Sequence, residues 1–528
     1  MSTTHSPHPS PSPQPVSAPT LNFKDALCAM LGIATVLMMS ALDQTVIGNA
    51  LPSIAADLHG FSLYAWVATS YLLASIVTIP IFGKLGDAYG RKSFVLSAAI
   101  LFTVASLLCA LAPSMSMLVL ARFLQGIGGG MMIGTAFACI PELFPDTARR
   151  LRWQMLLSAL FSVVNAFGPT LGGVLTQHYS WRSVFYLNLP FGVIATFLVW
   201  RFLPSVPPAA GAPKRIDWLG AALLTVLLSA LQIAVQWLPT EGFDGRTIGL
   251  LLLTLVALIA LIAWERRASD PLLPAVLFSD RQLRTIFLLA ALAGGIMFVM
   301  LFYMPMLLQG VLSYTPQDAG LLITPLVLCI TLGAIVNGRI VTKLHNPNRL
   351  VVFGFTMLLL ASVGLLTSTR HATFLTLLVL MFAAGIGFGF IYLNLTVFTQ
   401  TLAPRVHLGI ATAMTQSIRL VGGMLGTALV GSIVDACYRK GVVDGFAAHH
   451  WLARIAPYTD PKILFPGADR SMLTGQSAEL SAMGQIAREA LAHALLIGFS
   501  LSSVLALAGL MLVIKLNPVV LPGKKSTS

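Results

Sequence analysis

The sequence predicts an all-α integral membrane protein with fourteen transmembrane helices, on three observations. The chain is 56% hydrophobic and only 10% charged, where a soluble protein carries about 25% charged residues. No soluble fold hides so much apolar surface, so the bilayer is the solvent for most of the chain. Long apolar stretches recur between short polar segments. Lys and Arg gather on alternate connections.

The elements follow in order. The opening MSTTHSPHPSPSPQPVSAPT is Pro/Ser-rich and cannot form a core, so residues 1–24 read as a disordered tail. Apolar spans lie near 26–51, 64–82, 94–112, 117–140, 154–176, 183–200, 218–237, 248–264, 285–308, 320–338, 350–367, 372–402, 408–433 and 490–514. Each suffices, at about 1.5 Å per residue, to cross a hydrocarbon core of about 30 Å. Helices are the expected spans because each satisfies its own backbone groups; the alternation of a barrel strand is absent. Residues 434–489 form one long connection whose YTDPK and FPGAD clusters predict an irregular segment with a short helix near 476–488. Residues 516–528 are a polar tail.

With the N-terminus inside, the inner connections and C-terminal tail hold twenty Lys and Arg, and the short outer loops hold three, Arg182, Arg246 and Arg370. This bias places both termini in the cytoplasm. The same residues account for most of the net charge of +13, so no nucleic-acid partner is needed. The lipid bilayer is the expected surrounding.

The chemistry is that of neither an ATPase nor an enzyme. No Walker A, HExxH or GxSxG motif occurs. Five scattered cysteines show no metal-ligand spacing and read as small hydrophobes. Neither a metal nor a cofactor is expected. What stands out are the charges inside spans, which are costly there and mark function by default. They are Asp43, Arg122 and Arg419. Asp43 lies roughly 12 Å, and Arg122 roughly 8 Å, from the outer ends of their spans. At those depths they can approach each other or share a cavity. A carboxylate whose environment changes between two conformations can take up a proton on one side and release it on the other. A static ion pair joining two helices is the alternative, and for Arg419 a structural role is the expected one.

Six segments, in this order and spacing, resemble the major facilitator superfamily, and within it the fourteen-helix drug–proton antiporters of the EmrB/QacA type. The first span, ALDQTVIGNALPSIAADL, is similar to that family's first-helix motif. The connection GKLGDAYGRKSFV is similar to its inner-loop motif through Gly83, Asp87, Gly90, Arg91 and Lys92, and departs from it at Ala88. LVLARFLQGIGGGMM carries Arg122 and Gln125. VVNAFGPTLGGVL matches the antiporter motif at Gly168, Pro169, Gly172 and Gly173, with Val164 where an earlier glycine is usual. WRSVFYLNLPFG resembles the entry to the sixth helix. TQSIRLVGGMLGTAL resembles a late-helix motif through Gln416 and Arg419.

The resemblance implies two six-helix bundles, residues 25–203 and 271–515, with an inserted pair in 204–270. It implies alternating access, proton coupling at Asp43 with Arg122, and a conformational latch in the inner loop. The expected activity is export of small amphipathic organic compounds in exchange for protons across a bacterial inner membrane. An importer of a small metabolite on the same fold is the alternative. Candidates for the substrate cavity are Gln44, Phe298, Phe302, Tyr303, Met304, Tyr392 and Asn394, whose aromatic, thioether and amide groups suit varied ligands. The 434–489 connection could dock a periplasmic adaptor protein or cap the cavity.

Overall fold

The computed structural model describes residues 22–519, except 144–152, 154–163, 166, 206–216, 269–270, 274, 342–343, 345, 369–372, 405–407 and 466–476. Among the described residues all regular structure is helical, and thirteen helices are long and apolar enough to cross a membrane. The predicted span 154–176 falls mostly outside the described residues; its final part, α5 (residues 167–178), is helical.

The first group of helices is α1 (Phe23–Asp57), α2 (Tyr64–Tyr89), α3 (Arg91–Ala110), α4 (Met115–Leu143), α5, and the short α6 (Arg182–Tyr186) continued by α7 (Asn188–Phe202). Next come α8 (Trp218–Glu241) and α9 (Gly245–Glu265), then the short α10 (Ala275–Ser279). The second group is α11 (Arg281–Met306), α12 (Pro316–Val341), α13 (Asn348–Ser368), α14 (Phe374–Leu402), α15 (Leu408–Ala448) and α16 (Ser477–Ile514). α2 packs on α4, α4 on α3 and α1 on α7; α11 packs on α15, α12 on α14 and α13 on α16. These are two bundles. They meet through α2 against α15 and α1 against α11.

Local chemistry sets several helix starts. Asp217, Asp244, Asp280 and Thr373 each accept a backbone N–H from the first turn of α8, α9, α11 and α14, satisfying donors that a helix cannot pair itself. Asp217 also accepts from Trp264 Nε1 at 2.6 Å, tying α8 to α9. α8 lies against α15 and α2, whereas α9 packs chiefly on α8. The exposed Leu252, Val256 and Ile259 of α9 suit a lipid-facing flank.

The 434–489 connection is shorter than the sequence predicts. α15 continues to Ala448 and α16 already begins at Ser477. Between them, three 3-10 turns cover Leu452–Arg454, Ala456–Tyr458 and Pro461–Leu464. The cause is a buried stripe at helical spacing, Tyr438, Val442 and Phe446, on a stretch of α15 that packs against α16, where Met483, Ala487 and Leu491 are also buried. Arg439, Lys440 and Asp444 between the stripe residues make the segment read as a loop. Tyr438 donates to the Tyr458 carbonyl at 2.8 Å, and the Phe446 ring packs 5.1 Å from that of Tyr458. The connection folds back on the bundles, reaching α1 and α16 through its last turn.

Candidate functional site

The side chains of Asp43 on α1 and Arg122 on α4 are both buried and form an ion pair of 2.5 Å. α4 places Gln125 three residues after Arg122, hence on the same face. Gln125 Oε1 accepts from Arg122 Nη1 at 2.7 Å, and Gln125 Nε2 donates to Asp43 Oδ1 at 2.8 Å. The same Nε2 donates to Ser106 Oγ of α3 at 2.7 Å. Asn188, at the start of α7, donates to Ser106 at 3.2 Å and more weakly to Asp43 Oδ1 at 3.4 Å. Arg122 Nε donates to the Val67 carbonyl of α2 at 3.1 Å, and its guanidinium lies 4.5 Å from the centre of the Tyr71 ring. The cluster around this carboxylate thus joins side chains of α1, α2, α3, α4 and α7.

Both ions are compensated. The carboxylate accepts from a guanidinium and two amides, and the guanidinium spends donors on a carboxylate, an amide oxygen and a backbone carbonyl. Removing one partner from a buried pair costs about 3–5 kcal/mol, because the other charge is left unpaired. Protonating Asp43 is such a change, since it cancels the charge that holds Arg122. The sequence singled out Asp43 and Arg122 as in-span charges. It did not assign Ser106, Asn188 or Tyr71 to the cluster, and Gln125 entered only as part of a motif. Their signal was available: amides and hydroxyls within apolar spans need partners.

The inner-loop residues mark the joint between α2 and α3. Gly90 adopts φ 91° and ψ 140°, a conformation that L side chains rarely take. Gly83 faces the Gly134 carbonyl of α4, and a Cβ there would meet it at 3.6 Å. Arg91 and Lys92 open α3 and are partly buried. Asp87 lies in the last turn of α2, and its side chain is outside the described set.

The antiporter-motif residues form a seam. A Cβ on Gly168 or Gly172 would strike Thr45 or the Val46 carbonyl of α1, and one on Gly173 would strike the Pro316 carbonyl of α12. The Pro169 carbonyl accepts from Asn49 Nδ2 at 2.6 Å. Thr170 and Thr324 of α12 share a hydrogen bond of 2.5 Å. α5 thereby packs on α1 of its own bundle and on α12 of the other, at the end carrying the α1–α2 connection. At that end Gln309 also donates to the Asn49 carbonyl at 3.0 Å, and Tyr64 to the Phe302 carbonyl at 2.7 Å.

Of the cavity candidates, Tyr303 borders a cavity of about 500 Å³ beside the start of α2, the end of α8 and α15. Phe298, Phe302, Tyr303 and Met304 are all buried in α11. Phe298 stacks on Phe302 at 5.9 Å, and Tyr303 donates to the Thr427 carbonyl at 3.0 Å. Asn394 is spent on its own helix, donating to the Phe390 carbonyl at 2.7 Å. Gln44 is bonded to the Tyr71 hydroxyl. In this conformation the large side chains of α11 are packed between neighbouring helices. Gln416 is partly buried. Arg419 lies 4.6 Å from the centre of the Tyr392 ring, and no ion pair joins it to a carboxylate among the described residues.

Residues 33–427 match the Major Facilitator Superfamily. The chain belongs to that family. Among curated relatives, it is 31% identical over 454 residues to "Multidrug resistance protein 3" of Bacillus subtilis (strain 168), covering 84% of this chain and 87% of that protein. It is also 31% identical over 435 residues to "Multidrug transporter protein MdtP" of the same organism, covering 81% and 77%. Among solved structures, an inward-facing bacterial homologue of the human lysosomal transporter Spinster superposes with a TM-score of 0.60 at 14% identity, over 95% of this chain and all of that one. A D-xylose–proton symporter gives 0.56 at 14% identity, over 85% of this chain and 99% of its own. At such identity these two show the fold alone. The protein is a multi-pass member of the Major Facilitator Superfamily, a family of transporters.

Proposed function

We propose that this major facilitator protein is a proton-coupled antiporter that exports small amphipathic organic compounds from a bacterial cell by alternating access, with both termini cytoplasmic. The observation that carries the reading is the buried Asp43–Arg122 pair with its shell of amides. Similarity to two bacterial multidrug proteins supports export as the direction. The bundles proposed to rock are residues 25–203 and 271–515, with 204–270 as the inserted pair.

The cluster's own residues supply the coupling. An outside proton reaching Asp43 neutralises the acceptor of Arg122 and frees the guanidinium. Gln125 then has a donor, Nε2, and an acceptor, Oε1, with which to satisfy either protonation state. Reformation of the pair on the inward side expels the proton. Gly83, Asp87, Gly90, Arg91 and Lys92 are proposed as the inner latch, and the Gly168–Gly173 segment as the outer seal.

Asp43→Asn in proteoliposomes tests the coupling site. Substrate-evoked proton movement is expected to vanish in a variant that, though less stable because Arg122 loses its counter-ion, still unfolds cooperatively. Proton movement at the wild-type rate in this variant would remove Asp43 from the mechanism. Import rather than efflux under an imposed proton gradient would support the alternative, uptake of a small metabolite.

A further inference from the structure

Of the three in-span charges, Arg419 takes no part in the Asp43 cluster. It lies roughly 16 Å along α15 from that helix's start, well inside the hydrocarbon depth. Its backbone is fixed. A Cβ on Gly294 of α11 would strike the Arg419 carbonyl and stand 3.0 Å from its Cγ, so α11 and α15 touch there. The guanidinium lies 4.6 Å from the centre of the Tyr392 ring of α14. That ring is braced in turn. It stacks on Phe388 at 5.6 Å, and its hydroxyl donates to the Ala293 carbonyl at 3.4 Å. Three helices of the second bundle thus bound this charge.

An arginine that fastens helices commits its donors to them. Arg122 does so, to Asp43, Gln125 and the Val67 carbonyl. Arg419 has five N–H donors. Among the described residues its side chain forms neither a hydrogen bond nor an ion pair. Gln416, three residues earlier and so on the same face of α15, has a side-chain amide that is likewise unbonded among the described residues. Both side chains are half-buried, and none of their polar atoms is sealed off without a partner. These donors therefore have open surface around them, within the span.

The charge count gives the sign of a guest. Asp43 and Arg122 cancel, and Arg419 leaves a positive charge in excess. Protonation of Asp43 increases that excess. A cationic guest would add to it in a region of low dielectric, where like charges repel strongly. An anionic guest offsets it. A carboxylate also fits the groups present. It matches the guanidinium fork through two parallel hydrogen bonds, and the Gln416 amide can donate to one of its remaining lone pairs.

We propose that Arg419 and Gln416 form an anion-binding subsite that receives the carboxylate of an organic acid, so that the exported compounds include acidic amphiphiles. The inference rests on the export reading for its role in transport, whereas the charge preference follows from the site's own geometry.

Binding tests it without transport. The full chain is placed in nanodiscs of phosphatidylcholine, with radiolabelled 1-naphthylacetate as the probe and the like-sized cation 1-naphthylmethylammonium as competitor. Saturable binding of the acid is expected, with the ammonium competing about tenfold more weakly or worse. Arg419→Gln is expected to weaken the acid's affinity about tenfold or more, and Arg419→Lys to recover part of it. Because the charge removed is unpaired, Arg419→Gln should melt no lower than wild type, whereas loss of a fastening arginine lowers the melting temperature. In Asp43→Asn the acid still binds whether or not proton movement is lost, so failure of the coupling reading and failure of this one are told apart. The proposal is overturned if wild type binds the ammonium as well as the acid, or if Arg419→Gln binds the acid as tightly as wild type. It is also overturned if phosphatidylglycerol, added to the nanodiscs at high salt, displaces the acid, which would give the site to a lipid headgroup.

Discussion

Asp43 makes sense only with its neighbours. A lone carboxylate in the bilayer core is expensive, and here Arg122, Gln125 and Asn188 all donate to it. The pair should therefore show strong coupling in stability. Arg122→Gln alone strands a buried carboxylate and is expected to cost about 3–5 kcal/mol. Adding Asp43→Asn removes the stranded charge, so the double variant should unfold at a higher temperature than Arg122→Gln. Equal melting temperatures for the two would show that the pair stores no coupling energy. Both charged residues of this pair were legible in the sequence by position alone. Ser106, Asn188 and Tyr71 were not, because a lone hydroxyl or amide in an apolar span carries no address until the helices are packed.

At the scale of elements, the joint between α2 and α3 is a tight backbone constraint. Gly90 holds φ 91°, and an alanine there is expected to destabilise by about 1–3 kcal/mol. A thermal-unfolding comparison of Gly90→Ala with wild type measures this; an unchanged melting temperature would mean that the joint relaxes into another turn. The α15–connection–α16 unit teaches a different lesson. Tyr438, Val442 and Phe446 recur every four residues and are buried, so the helical stripe was in the sequence. Interleaved Arg439, Lys440 and Asp444 masked it, because a helix that leaves the hydrocarbon can afford a charged outer face while still burying one side.

The whole molecule is arranged so that one end is sealed between the bundles. Thr170 bonds Thr324 and Gln309 bonds Asn49 across that end, and Asn49 also holds Pro169 within the first bundle. If alternating access operates, this seam opens once in each cycle. A Thr170→Cys/Thr324→Cys pair should then cross-link under mild oxidation and stop transport, with reduction restoring it. Single-cysteine variants should keep at least most of the activity. Full transport by the cross-linked protein would mean that the seam stays shut throughout the cycle. The inserted pair has an unequal placement that matters at this scale: α8 touches both bundles through α2 and α15, while α9 packs chiefly on α8.

Membrane residence and the helical class were determined by the sequence itself, because backbone satisfaction in hydrocarbon leaves few alternatives to a helix of apolar residues. The twenty-to-three distribution of Lys and Arg likewise carries the expected orientation in the sequence alone. The in-span charges at Asp43, Arg122 and Arg419 could be named before any coordinate. Only tertiary structure decided that Asp43 and Arg122 touch while Arg419 rests on Tyr392. It also decided that Phe298, Phe302 and Met304 of α11 are buried among neighbouring helices, while Tyr303 borders a cavity beside α8. Periodicity states which face of a helix is apolar, but not which other helix meets it; that depends on packing between residues distant in sequence.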